Sequence, residues 1–442
     1  VREYLLAILS AAVITYLLTP AVRIFAIWFG AAPAPRARDV HKTPIPRLGG
    51  LAMFGGMLGS LVVAARLPNL SRVFNPSLAG GTGNVSTALL LAGGLIVLLG
   101  IADDRWGVDS LTKFAGQVAA AGILIMNGVQ ILSIPLPSGE NLALGPELGV
   151  PLTVLIVVAT INAVNFIDGL DGLAAGVVGI AATALFVYSY LLAGANGLDL
   201  LTAPTLVAAI LMGVCMGFLP HNFSPAKIFM GDTGSMLIGL LLSTSTIMIT
   251  GQFDSQAVGT YRIFPFFVPL LLVPAVVAIP FLDMLLAVWR RTNSGRSPFA
   301  PDKEHLHHRL LDIGHSVRRA VLIMYFWVGL LASSVIEIAV ASSISGPLSV
   351  SPKLALTVML SLTALAGLLG LLVMILFPRY QRRRRRARHA ARASAAPARQ
   401  VIPASAPVPP NGHGFPHPPQ APQLGPLGQP NGSREKPRQP IL

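Results

Sequence analysis

Apolar runs of about 20 residues recur along the chain and constrain its fold more than any other feature. A helix rising 1.5 Å per residue needs roughly that length to cross about 30 Å of hydrocarbon. By this rule the sequence offers about eleven spans, near 3–29, 49–66, 86–102, 111–128, 150–163, 170–193, 200–219, 234–250, 264–289, 320–341 and 354–377. The fifth is short and need not cross on its own. Of 442 residues, 11% are charged and 53% hydrophobic, whereas an ordinary soluble domain carries about 25% charged residues. Mean hydropathy is +0.68. The expected fold class is all-α: a polytopic membrane domain over 1–378 with its active site on the cytoplasmic face, then a tail over 379–442. The first run is too long for a signal-peptide core and lacks a clear cleavage site, so it reads as a retained helix. The single cysteine, Cys215, lies in an apolar run and excludes an intramolecular disulfide and a thiolate metal cluster.

The formal charge of +14 is concentrated in a few loops and the tail. In a membrane protein such clusters report topology before nucleic-acid binding, because Lys and Arg mark cytoplasmic loops. Loop 30–48 holds Arg36, Arg38, Lys42 and Arg47. Loop 290–319 holds seven Lys and Arg residues, and the tail opens with RYQRRRRRAR, whereas 129–149 has none. An odd span count then places the N-terminus outside and the tail inside a bacterial plasma membrane. The tail is rich in Pro, Ala, Gly and Arg with no apolar period, so it is expected to be disordered. Its arginine run suits anionic headgroups, or serves only as a positive-inside anchor.

This topology gathers five unusual segments on the cytoplasmic side. RDVHKTPIPRLGG (38–50) presents Lys42 and Arg47 on a proline-stiffened loop that suits phosphate. GIADDRWGVDSLTKFAGQ (100–117) ends one span with Asp103 and Asp104, adjacent carboxylates whose repulsion a divalent cation or shared proton relieves. Lys113 follows one turn into the next helix, and Asp109 or Ser110 reads as that helix's cap. NAVNFIDGLDGLAAG (162–176) spaces Asn165, Asp168 and Asp171 three residues apart, which in a helix clusters them on one side; a capping role for Asp171 stays open. In FMGDTGS (229–235), Asp232 opens an apolar helix, where free N–H groups favour an anion and the carboxylate suits Mg²⁺, or simply caps. Phe229 suits base stacking or the membrane interface. Finally, HLHHR (305–309) clusters His305, His307, His308 and Arg309. With no cysteine among them and hard carboxylates elsewhere, they fit phosphate better than zinc. Carboxylates facing phosphate-binding cations point to a Mg²⁺-held polyphosphate, with Mn²⁺ an admissible substitute. No P-loop, GxSxG or kinase signature is present.

In order, HKTPIPRLGG, GIADDRWGVDSLTKFAGQ, NAVNFIDGLDGLAAG, FMGDTGS and HLHHR resemble the successive cytoplasmic motifs of the polyprenyl-phosphate N-acetylhexosamine-1-phosphate transferases, over about residues 36–310. The resemblance implies that a polyprenyl phosphate attacks the sugar-linked phosphate of a UDP-sugar, giving a polyprenyl-diphosphate sugar and UMP. It implies that Asp232 and Asn165 bind Mg²⁺ and that Lys113 binds the diphosphate. By the same resemblance Asp103 and Asp104 position or deprotonate the lipid phosphate, Asp168 and Asp171 serve the nucleotide side, and His305, His307 and His308 contact the diphosphate and sugar. Because Leu306 interrupts the histidines, the chain resembles the branch that uses UDP-N-acetylglucosamine to start cell-wall linker or surface polysaccharide synthesis. The muramoyl-pentapeptide branch, with three consecutive histidines, is the alternative. From another class, a transporter would place its charges near mid-membrane, and a non-catalytic scaffold would need no ordered acidic motifs. The expected partners are the UDP-sugar, the lipid phosphate and the membrane, with no nucleic acid; a homodimer stays open.

Overall fold

The computed structural model describes residues 1–32, 44–74, 84–135, 141–196, 202–251 and 317–343, together with Ser361 and Ala364. These form nine helices: α1 (Arg2–Trp28), α2 (Gly49–Ala64), α3 (Val85–Trp106), α4 (Ser110–Met126), α5 (Pro146–Ile167), α6 (Leu173–Asn196), α7 (Thr202–Asn222), α8 (Gly231–Gly251) and α9 (Val317–Ser343). Seven are long and apolar enough to cross a membrane, while α2 and α4 are shorter apolar helices. The chain is a mostly helical, polytopic membrane protein. The expected span 264–289, that at 354–377 apart from Ser361 and Ala364, and the tail lie outside the described residues, so the eleven-span count is not reached here. A short antiparallel hairpin, β1 (Ser133–Pro135) and β2 (Asn141–Ala143), interrupts the helical pattern.

Local chemistry sets the helix starts. Asn84 caps α3 by accepting from the Ser86 and Thr87 N–H groups. Asp109 caps α4, accepting from the Leu111 and Thr112 N–H groups at 3.0 Å each, as its position before the apolar run foretold. Two sequence readings are corrected. The fifth apolar run is not short: α5 extends over 22 residues, starting with Pro146 in its first turn and continuing through Asn162 and Asn165. Nor do Asn165, Asp168 and Asp171 share one helix. α5 ends at Ile167, Asp168 is its C-cap, and the chain turns through Gly172 at φ +77° before α6.

α8 is the axis of the bundle. It is enclosed along its whole length, packing against α2, α3, α5, α6 and α7. Small residues allow the close approach, as expected where helices associate by packing rather than by a hydrophobic force. A Cβ on Gly56 would meet Thr15 Oγ1 of α1 at 1.9 Å, and one on Gly239 would meet Ile161 Cα of α5 at 2.8 Å. At one end of the bundle, Glu3 accepts from the Asn69 and Leu70 N–H groups, and Leu132 N donates to Gly251 O. The opposite end gathers the C-termini of α1, α3, α5 and α7 with the N-termini of α2, α4, α6, α8 and α9.

Candidate active site

The site is built around the first turn of α8. The segment PRLGG (46–50) is stitched to FMGDTGS (229–235) by three backbone bonds: Phe229 N to Pro46 O at 2.9 Å, Gly49 N to Phe229 O and Gly50 N to Met230 O, both at 3.0 Å. Glycine is required at this seam. A Cβ on Gly50 would lie 2.1 Å from Gly234 N, and one on Gly100 of α3 would lie 2.3 Å from Thr233 Cα. Leu48, buried between Arg47 and Gly49, adopts φ +77°, a backbone region that side chains seldom enter.

Asp104 reaches this turn from α3. Its Oδ1 accepts from Asp232 N at 3.1 Å, and its Oδ2 from Thr233 N at 3.1 Å and Thr233 Oγ1 at 2.7 Å. It is a helix cap supplied in trans, and it is buried. The N–H groups that the sequence left open to an anion are thus taken by the protein's own carboxylate, which completes orphan donors and faces the positive helix end. Gly231 gives the carboxylate room, since a Cβ there would sit 2.2 Å from Asp104 Oδ2.

Asp103 points elsewhere. Its Oδ1 accepts from Val108 N at 2.7 Å, and its Oδ2 pairs with Lys113 Nζ at 2.8 Å. The same ammonium reaches Asp232 Oδ2 at 2.7 Å. Asn165 on α5 donates to Ser235 Oγ at 2.9 Å and lies beside the Asp232 carboxylate. Carboxylates of α3 and α8, a lysine of α4 and an amide of α5 therefore meet at one point.

Asp168 lies beside them, its backbone N–H donating to Asn165 O at 3.2 Å and its carboxyl without a hydrogen bond or ion pair among the described residues. Burial, then the negative charges of Asp232 and Asp104, push its carboxyl well above the usual carboxylate range, against the pull of the Arg47 guanidinium. Asp171 is buried and braces the turn, accepting from Ala226 N at 3.0 Å. Phe229 is fixed through its backbone and half-buried. Lys42, His305, His307, His308 and Arg309 lie outside the described residues.

Several contributors carried no signal in the sequence. Thr233 and Ser235 looked like turn residues, yet they complete Asp104 and Asn165. Asn222, at the end of α7, accepts from Gly172 N and donates to Ile228 O, both at 3.0 Å. From α9, the Tyr325 hydroxyl donates to Gly172 O and Arg318 Nε donates to Ser224 O at 2.6 Å. Asn222 and Tyr325 thus hold the turn bearing Asp168 and Asp171 from outside every motif.

Among the described residues no three His, Cys, Asp or Glu side chains form a ready-made ion cage. Mg²⁺ does not need one: it keeps several waters and takes one or two carboxylates plus substrate phosphates. The Lys113 ammonium supplies the test of fit. It sits as a stand-in cation 2.7 Å from Asp232 Oδ2, a hard carboxylate oxygen of the kind Mg²⁺ uses.

Residues 86–250 match the family described as Glycosyl transferase family 4. The chain is 50% identical over 334 residues to a decaprenyl-phosphate N-acetylglucosaminephosphotransferase of Mycolicibacterium smegmatis, covering 75% of this chain and 81% of that protein. A protein of the same name from Mycobacterium tuberculosis is 47% identical over the same shares. A probable undecaprenyl-phosphate N-acetylglucosaminyl 1-phosphate transferase of Bacillus subtilis is 32% identical, covering 70% of this chain and 77% of that protein.

Proposed function

The chain belongs to glycosyl transferase family 4, and from that premise we propose that it transfers N-acetylglucosamine-1-phosphate from UDP-N-acetylglucosamine to a polyprenyl phosphate, releasing UMP. The observation that carries the reading is the meeting of Asp103, Lys113, Asn165 and Asp232, from four helices, at one end of the bundle. That end is cytoplasmic in this reading, where the basic loops of the sequence lie. The product begins a cell-wall linker or surface polysaccharide. The names of the 50% and 47% identical relatives make decaprenyl phosphate the first acceptor to try.

An oxygen of the lipid phosphate attacks the sugar-linked phosphorus, and the bond to the UMP oxygen breaks. Both reactants are anions, repelling by roughly 1 kcal/mol per charge pair at 4 Å in water and several-fold more at a drier interface. Lys113 and Arg47 stand where they lower that repulsion. Mg²⁺, held through Asp232 and Asn165, would neutralise diphosphate oxygens and stabilise the leaving UMP. A phosphate monoester is already nucleophilic at neutral pH, so no strong base is required. Asp104, with both oxygens engaged, shapes the α8 turn, leaving Asp103 to orient Lys113. The carboxyl of Asp168, without a side-chain partner among the described residues, takes a donor group of the nucleotide in this reading. In the same reading Lys42, His305, His307, His308 and Arg309 contribute further phosphate donors, with Phe229 on the nucleotide side. A transporter would carry its charges at mid-membrane; these charges lie at helix ends.

The test combines purified protein, Mg²⁺, polyprenyl phosphate and radiolabelled UDP-N-acetylglucosamine or UDP-N-acetylmuramoyl-pentapeptide. Labelled lipid is expected from the first donor and its loss on adding EDTA. Label from the muramoyl donor alone would overturn the sugar assignment, and label from neither would overturn the activity.

A further inference from the structure

The Lys113 ammonium bonds two carboxylates that belong to different helices and have different freedom. Asp103 is anchored, its other oxygen accepting from Val108 N at 2.7 Å. Asp232 opens α8 and is the carboxylate that the functional reading assigns to the divalent cation. Lys113 Nζ lies 2.7 Å from Asp232 Oδ2, so it fills the coordination of that oxygen and repels any cation approaching it. Among the described residues, the neighbours of Asp232 other than Lys113 bring it no positive charge. Asp104 has committed both oxygens to the α8 turn, and Asn165 brings Asp232 an amide, not a charge. Lysine carries its charge on a flexible four-carbon stem, and this one is 27% exposed in the first turn of a helix whose start Asp109 fixes. The ammonium can therefore leave Asp232 and keep Asp103 while α4 stays in place.

We propose that Lys113 is a placeholder for the divalent cation: without metal it bridges Asp103 and Asp232, and the cation displaces it from Asp232 toward the donor's phosphates. The proposal rests on the metal reading of the site given above. It gives the ammonium two successive partners. Before binding, it keeps the carboxylates of α3 and α8 from driving the helix ends apart. After binding, pivoting on Asp103, it meets the diphosphate that enters with the metal. Displacement also makes the free enzyme a poor metal binder. Cation and donor then favour each other's binding, by the reciprocity that any such coupling obeys.

The experiment measures Mn²⁺ binding to the full chain in detergent by the loss of the free-ion EPR signal, with no nucleotide present. Lys113→Met is expected to bind Mn²⁺ about tenfold or more tightly than the unaltered protein, because no resident charge must be expelled. Lys113→Gln, which keeps a donor for Asp103, should reproduce the gain, and Lys113→Arg should not. Unchanged or weaker affinity in the Met and Gln variants overturns the placeholder. Asp232→Asn separates this failure from failure of the metal reading. If Mn²⁺ binding survives Asp232→Asn undiminished, or no variant binds Mn²⁺, the metal reading falls and the placeholder falls with it.

Discussion

Two neighbouring aspartates, alike in sequence, do different work. Asp104 receives three hydrogen bonds from the first turn of α8, so Asp104→Asn sets an amide donor against backbone donors. A buried donor left unmatched costs about 1–3 kcal/mol, and the variant should lose thermal stability in detergent along with activity. An equal Tm would refute the capping role. Asp168 obeys the opposite sign. Its carboxyl is raised by burial and by Asp232 and Asp104, so the folded protein holds that proton more tightly than the unfolded chain does. Ionising it therefore costs stability above the raised value, and the penalty fades as pH falls toward the ordinary carboxylate pKa of about 3.9. In EDTA, Asp168→Asn should raise Tm at about pH 8, with the gain shrinking by about pH 5; a pH-independent change would contradict this. The sequence revealed Asp109 as a cap because its partners follow within three residues. It hid Asp104 because the first N–H that Asp104 caps, that of Asp232, lies 128 residues later.

At the scale of the element, apolar length located the nine described helices to within four residues at either end, and cut α5 short by that much at both. The apolar run is broken at Asn162 and Asn165, and an amide in hydrocarbon is costly unless bonded, so the expected span stopped at 163. In the fold, Asn162 donates to Gln117 Oε1 at 2.6 Å and Asn165 bonds Ser235, so the helix runs through both. The helix also begins four residues before the expected span, with Pro146 in its first turn, where proline is at home. Packing between elements was less legible, because which glycine meets which backbone depends on the neighbours chosen. Gly50→Ala should abolish activity and lower Tm, since its Cβ would lie 2.1 Å from Gly234 N. Gly122→Ala on α4 meets nothing within 4 Å and should leave Tm unchanged or gain about 0.5–1 kcal/mol from helix propensity. Equal losses in both would refute the seam as the cause.

Across the whole molecule, the five sequence motifs were legible as chemistry before any helix was paired, and the described parts of four of them do meet at one end of the bundle. That end carries exposed Trp28 and Trp106, amphipathic rings of the kind found at a membrane–water boundary. Because Cys215 is buried, single cysteines can report sidedness. Trp28→Cys and Trp106→Cys should react with an impermeant maleimide from the cytoplasmic side, and Leu148→Cys from the other. Labelling of all three from one side would overturn the topology. The enclosure of α8 bears on how such a protein is made. Its middle carries Ser243, Thr244, Ser245 and Thr246, all buried, and among the seven spanning candidates its hydropathy of 1.5 exceeds only that of α9. Such a segment gains little from lipid alone and settles once its neighbours surround it. Asp232 rides on that helix, so a nascent chain brings Asp103, Lys113 and Asp232 together only when the ring of surrounding helices has closed.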